Sequence, residues 1–258
     1  WACADKLMGF LTTIRAELHV HTCLSPCAEV EMIPPLIVRE AIERGIYLIA
    51  ITDHNTTANI EGVMKAAQGS GLAVLPGMEV QTREEVHSLC LFDTLEQARA
   101  FDNWLRAGLP PMKNNPDYFG EQFVVDSTGD FLRREEQLLI LSAEYGLEET
   151  FAKVQELGGL FIPAHVNRTA FGLLPVLGMV PPELPVEALE ISRHITVEKA
   201  LQQFPHIARY PLLQGGDAHR LDELLGANKF TIAEPTLAEL RLALAGIDGR
   251  SFRISPRS

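Results

Sequence analysis

Residues 16–22 read AELHVHT, and this stretch decides the fold: an apolar strand that ends on two histidines, His19 and His21, one residue apart. In an extended chain, residues i and i+2 point to the same face, so the pair can present two imidazoles to one cation. The context repeats down the chain as ITDHN (Asp53, His54), EVHSL (His87), PAHVN (His165) and GGDAHR (Asp217, His219), which with AELHVHT hold six of the eight histidines. Residues 14–18, 47–52, 73–76, 160–164 and 211–215 are each a strand-length apolar run closely followed by His, Asp or Glu. In a parallel α/β architecture the carboxyl ends of the strands open onto one face, so ligands far apart in sequence converge there. Histidine delivered repeatedly at strand ends predicts a metal site.

Between these runs the pattern is helical. Pro34 and Pro35 precede an amphipathic segment, 36–44, stopped by Gly45, and Pro at a helix start with Gly after its end is the favoured asymmetry. Helices are expected over 57–70, 95–105, 135–145, 147–157, from Val197, and over 236–245, with further strands at 72–79, 86–92, 187–191 and 230–232. This alternation predicts right-handed βαβ units in a mainly parallel sheet. Residues 110–118 are Pro- and Asn-rich, and 123–125 with 131–132 suggest a hairpin, so 110–135 reads as an insertion or lid on a single domain spanning 1–258.

The 258 residues are 47% hydrophobic and 22% charged, enough for one sizeable core. A formal charge of −12 argues against a basic footprint for duplex nucleic acid or an anionic membrane. Two or three divalent cations would nonetheless add about +4 to +6 at one spot and trap an anion there. No stretch approaches the roughly 18 apolar residues that suggest a membrane span. Residues 1–18 lack the pattern of a signal peptide. Four cysteines give no disulfide framework, which points to a reducing cytoplasm. The sequence starts on Trp1, which suggests a trimmed start with Met8 nearer the functional beginning.

Glu79, after Pro76-Gly77, supplies a carboxylate able to bridge two metals, and Asp217 with His219 repeats the i, i+2 spacing after Gly215-Gly216. Imidazole and carboxylate ligands together suit Zn, Mn or Fe. The ordered series His-x-His, Thr-Asp-His, Gly-x-Glu, a lone His, Pro-Ala-His and Asp-x-His resembles the PHP superfamily, named for polymerase and histidinol phosphatase. That resemblance implies a distorted (β/α)7 barrel with two to three divalent metals in a cleft at the carboxyl ends of the strands. It places His19, His21, Glu79 and Asp217 on one metal, Glu79, His87 and His165 on a second, and His54, His219 and the residue at Cys27 on a third. Cys27 stands where related chains carry His or Asp, so Glu29 or Glu31 is an alternative ligand. Asp53 is expected to orient a metal-bound histidine.

Arg168, Arg193 and Arg220 follow strand ends or ligand clusters and are the expected phosphate-holding residues. His194 is expected near the rim and His206 in solvent. The chain contains no G-x-G-x-x-G run and no P-loop pattern. The resulting expectation is a metal-dependent phosphoesterase, with Glu79 and Asp53 as catalytic residues. Its substrate would be a small phosphomonoester or the end of a single-stranded oligonucleotide, cleaved by a metal-activated water. The alternatives are a metal-dependent amide or ester hydrolase and a regulator that keeps its metals without catalysis.

Overall fold

The computed structural model describes residues 10–255; Trp1, Cys3 and Met8 lie outside them. Its first half runs β1 (Thr12–Val20), α1 (Pro34–Glu43), β2 (Leu48–Ile51), α2 (Ile60–Ala66), β3 (Ala73–Gln81), β4 (His87–Leu91) and α3 (Leu95–Arg106). A one-turn α4 (Pro116–Phe119) and the hairpin β5 (Phe123–Val125) and β6 (Phe131–Arg134) follow. The second half is α5 (Leu147–Glu156), β7 (Leu160–Pro163), α6 (Leu173–Leu177), β8 (Leu189–Ser192), α7 (Val197–Gln203), β9 (Leu212–Gly215), β10 (Asn228–Ile232), α8 (Leu237–Ala245) and β11 (Ser251–Ile254). Among the described residues, no helix is long and apolar enough to cross a membrane.

Seven strands form one curled sheet in the order β11-β10-β1-β2-β3-β4-β7, and β8 and β9 form a separate parallel pair. The pair bridges the open side: β8 lies against β7, β9 against β1, and Val20 bridges Ala218 just beyond β9. The result is a distorted barrel. Residues of β2 explain its two apolar layers. Leu48 and Ala50 join an inner cluster with Ala16, Leu75, Leu89, Ile162 and Phe230, while Ile49 and Ile51 join an outer cluster with Ile37, Val63, Phe101 and Phe161. Alternate residues of a strand buried on both faces read as a continuous apolar run, which is why YLIAIT shows no alternation. Leu237, Leu240 and Ala243 of α8 belong to the inner cluster, and the Leu237 amide donates to Asp93 just past β4. The α8 helix therefore plugs the end of the barrel to which the carboxyl end of β4 points.

The sheet is less parallel than the alternation predicts. Strands β1, β2 and β3 are parallel, but β4 runs antiparallel to both β3 and β7, and β10 runs antiparallel to β1. Only residues 82–86 join β3 to β4, too few for a parallel crossover, so the chain must turn back as a hairpin. The reversal puts His87 at the start of its strand, on the same barrel face as the carboxyl ends of β1, β2 and β3. Pro76 and Gly77 form no turn; they lie inside β3, where a Cβ on Gly77 would press on Leu91 and Thr52.

The helix expected over 135–145 does not form. Its backbone is bonded by side chains from elsewhere: Gln122 donates to the carbonyls of Glu135 and Gln137 and accepts from the Leu139 amide, and Asn55 donates to the carbonyls of Leu139 and Leu141. A segment whose polar groups are met this way has no need of an i to i−4 ladder. The expected helix over 57–70 is shorter, and Gly69 and Gly71 beyond it adopt left-handed backbone. Residues 110–135 pack against the loop that follows β1: the Phe123 amide donates to the Cys23 carbonyl, and Gly129 lies against Ile33.

Asn55 also accepts from the Gln81 amide, so one buried side chain ties three backbone groups. Asn55→Ala leaves them unmatched and puts alanine at a φ of 51°. The expected loss is about 2–4 kcal/mol in urea unfolding. Amide exchange should accelerate first over 137–142; unchanged exchange there would show that the segment is held by other contacts.

Candidate metal centre

The ligand-bearing residues meet because the barrel gathers its strand ends. The end of β1 carries His19 and His21, and it is stitched to the loop after β9 by reciprocal bonds, His21 amide to Ala218 carbonyl and Ala218 amide to His19 carbonyl. That loop presents Asp217 and His219. Beside β1, the chain after β2 is tied to β3 by a bridge between His54 and Glu79. His87 pairs with Gln81 across the β3–β4 hairpin, and His165 follows β7.

Glu79 is the convergence point. Its Oε1 lies 2.9 Å from His87 Nδ1, 3.0 Å from His165 Nε2 and 3.3 Å from His19 Nε2. Its Oε2 lies 3.0 Å from His54 Nδ1 and 3.3 Å from His21 Nε2. Asp217 Oδ1 stands 3.4 Å from Nε2 of both His19 and His21. Three groups of ligand atoms each lie within 4.8 Å of one another: His19, His21, Glu79 and Asp217; His54, Glu79 and His87; and His21, His54 and His219. His165 touches Glu79 between the first two.

The donor chemistry fits cations. His19 Nε2, His21 Nε2, Glu79 Oε2 and His165 Nδ1 are buried without any hydrogen bond, although imidazole nitrogens and carboxylate oxygens face each other across the cavity. Buried polar atoms are rarely left so unless they serve an ion or another partner. Burial would push the Glu79 pKa up, but His87, His19 and His54 hold it well below the usual carboxylate range. Burial takes His87 down to about 4, a neutral imidazole with a free lone pair.

An outer layer fixes the tautomers. His19 Nδ1 lies 2.9 Å from Glu190 Oε1, so its proton is drawn there and Nε2 is left to coordinate. The Ser25 hydroxyl donates to Asp53 at 2.7 Å and therefore accepts from His21 Nδ1 at 2.9 Å, which frees His21 Nε2. Asp53 also takes the Thr22 amide and hydroxyl, each at 2.7 Å. Its carboxylate is consumed by these donors and does not reach the cavity, so the expected catalytic role is corrected to a positioning one, exerted through Ser25. Phe171 stacks on His87 with ring centroids 4.5 Å apart.

Cys27 lines the cleft, and its thiol faces His54 and His219. Burial opposes ionisation there, yet the two imidazoles bring the thiol pKa down to about 5. Glu29 is turned away to Arg220 at 3.1 Å, and Glu31 is exposed. Arg168 and Arg193 line the same cleft of about 550 Å³, as does His194. Arg220 does not: its side chain is 60% exposed and bound to Glu29, so it leaves the set of expected phosphate-holding residues. His206 lies at the surface on the 3-10 turn 205–209.

Two residues were missed from sequence. Glu190 also accepts the His165 amide, at 3.0 Å, and a Cβ on Gly215 would collide with its carboxylate. Glu17 accepts the amides of Gly216, Leu225 and Gly226, and burial pushes its pKa up to about 7. The available signal was a carboxylate inside an otherwise apolar strand, in AEL and LEI.

The PHP domain family model matches residues 17–163, more than half of the chain. The chain belongs to the PHP family. His165, Asp217 and His219 lie beyond the matched span and join the cluster through the fold. The chain is 25% identical over 271 residues to the uncharacterized protein YqxK of Bacillus subtilis, covering 93% of this chain and 64% of that one. It is 37% identical over 75 residues to the 5'-3' exoribonuclease Rnm of Salmonella typhimurium, 28% of this chain and 25% of that protein. Among solved structures, the lesion-specific endonuclease PfuEndoQ from Pyrococcus furiosus superposes with a TM-score of 0.70 at 21% identity over 93% of this chain and 58% of that one. Endonuclease Q in complex with a 27-mer duplex bearing an abasic lesion at its active site gives 0.68 at 20% identity over the same shares. The chain thus spans under two thirds of YqxK and of the endonuclease.

Glu190→Gln keeps the size of the side chain but removes the charge beside His19 Nδ1. Metal affinity at the PHP cluster should fall by about 10- to 100-fold, read by competition with a chelating dye. Unchanged affinity would show that Glu190 only holds the His165 loop.

Proposed function

We propose that this PHP protein is a hydrolase of phosphoesters that works with two or three divalent cations. The observation that carries the reading is one buried carboxylate, Glu79, faced by five imidazoles, with two arginines on the wall of the same cleft. A carboxylate so placed could hold two adjacent cations. His19, His21 and Asp217 would complete the first site, His87 and His165 the second, and His54, His219 and Cys27 the third. Bound divalent cations supply Lewis acidity toward phosphoryl oxygens and lower the pKa of a water.

The protein groups orient and neutralise. Arg168 holds Asp217 through one nitrogen at 2.7 Å, and Arg193 is braced by the Gly216 carbonyl and by Glu223. Each guanidinium retains further donors, and a planar fork matches phosphate oxygens. These arginines favour a phosphoester over an amide. The substrate class is a small phosphomonoester or the end of a single-stranded oligonucleotide. Cys27 gives the third site a soft donor and shifts its preference toward Zn or Fe.

The deciding experiment measures metal content of the purified protein together with hydrolysis of a phosphomonoester, a phosphodiester, a single-stranded oligonucleotide and a carboxylic ester. A duplex with an abasic lesion belongs in the panel because endonuclease Q binds one. Two or three metals per chain and turnover of phosphoesters that stops with chelator are expected. Bound metal with turnover of the carboxylic ester alone would overturn the phosphate reading, and absence of tightly bound metal would overturn the centre. For Cys27→Asp the metal content should move from Zn or Fe toward Mn, read by elemental analysis after growth in mixed metals; an unchanged profile would remove Cys27 from the ligands.

A further inference from the structure

A second cleft, of about 770 Å³, adjoins the first, and Arg193, His194 and Glu223 line both. Its floor includes Arg15 and Lys229, and the strand register explains why cations gather there. Arg15 on β1 lies directly opposite Lys229 on β10, and Lys229 lies directly opposite Arg253 on β11. Directly opposed residues of antiparallel strands share a face, so three cations stand side by side across three strands. Like charges placed this way repel, and among the described residues none of the three forms an ion pair, although Asp222 and Glu223 line the same cleft. Arg15 donates to the carbonyls of Arg44, Leu225 and Gly226, which are neutral acceptors. Among the described residues, Lys229 and Arg253 have no carboxylate within ion-pair distance. Arg44 adds a further cation, paired with Glu40 at 2.6 Å. The acidic lining residues are Asp222 and Glu223, and Glu223 is taken up by Arg193 and the His219 amide.

In a chain with a net charge of −12, an uncompensated row of cations running on from the reaction cleft calls for an anionic ligand. The row covers two inter-strand steps, about 10 Å. That exceeds the axial rise per nucleotide of a stacked strand, about 3.4 Å, so the row is long enough to meet more than one phosphate. A monoester occupying the metal cleft would leave it unused. We propose that the second cleft is a track for the flanking phosphodiesters of a single-stranded nucleic acid whose reacting end lies in the metal cleft, with Arg193 and His194 at the junction. This rests on the phosphoesterase reading and names its substrate class.

The test uses the metal-loaded full chain and the double variant Lys229→Glu with Arg253→Glu, the first half-buried on β10 and the second exposed on the edge strand β11. Binding of a labelled, phosphorothioate-linked single strand of about eight nucleotides is followed by fluorescence anisotropy at several salt concentrations. The double variant should bind at least tenfold more weakly, and the slope of log affinity against log salt should fall by about 1.4, two contacts' worth for a single strand. Hydrolysis of a small phosphomonoester should stay unchanged, and Lys229→Arg should retain binding. Equal strand binding by the native protein and the double variant overturns the track, as does native affinity no greater than that for inorganic phosphate. Strand binding that depends on Lys229 and Arg253 without hydrolysis of any phosphoester would instead sustain the track and sink the catalytic reading.

Discussion

Placing the Glu79 carboxylate in the buried carboxyl-terminal half of β3 is the constraint on which the rest of the structure depends. An isolated ionised carboxylate in a low-dielectric interior costs many kcal/mol unless it is paired. Here the compensation comes from five imidazoles in four clusters spread through the sequence, of which only His87, across the β3–β4 hairpin, is close to Glu79 along the chain. Only a curled sheet brings the ends of β1, β2, β3 and β7 and the start of β4 to one carboxylate. The barrel and the site are therefore one requirement: flatten the sheet and Glu79 is left buried without partners.

The same concentration of charge explains the strained backbone. His165 and Asp217 adopt φ values of 29° and 47°, and Phe171, which stacks on His87, 61°. Such conformations cost of order 1–3 kcal/mol each in a non-glycine residue and survive only where surrounding contacts over-determine them. Those contacts are visible. Glu190 grips both the His165 amide and His19, Glu17 ties down the loop that carries Asp217, and Gly215 and Gly216 let these carboxylates approach the backbone closely. Stability is given up at the ligands and recovered in the layer behind them.

This division also explains what could be read from the chain. Ligands sit at strand ends, where a polar residue interrupting an apolar run is conspicuous, so His19, His54, His165 and Asp217 stood out. The i, i+2 rule put His19 and His21 on one face, and the structure gathers both with Glu79 and Asp217. Supporting groups lie inside runs, where Glu17 and Glu190 are carboxylates among apolar residues with no strand end to mark them. The direction of β4 was hidden because strand pattern is the same in both senses, and only the shortness of residues 82–86 records the reversal. Residues 135–145 were misread because the side chains that bond them, Asn55 and Gln122, are distant in sequence. Arg220 was assigned to the rim by proximity to His219, but one residue along an extended chain reverses the side chain, and Glu29 was there to receive it.

Charge ties the two clefts together. A net negative protein would repel a phosphate strand at long range, and ordinary salt screens that repulsion beyond about 8–10 Å. Within that distance local groups decide. On the metal side, imidazoles face carboxylates around Glu79, and divalent cations bound there would add positive charge. On the other side of Arg193 and His194, the row of Arg15, Lys229 and Arg253 is positive at all times. A strand held by its flank on that row would reach a centre whose attraction for phosphate rises with bound metal, so binding and cleavage would answer to different residues.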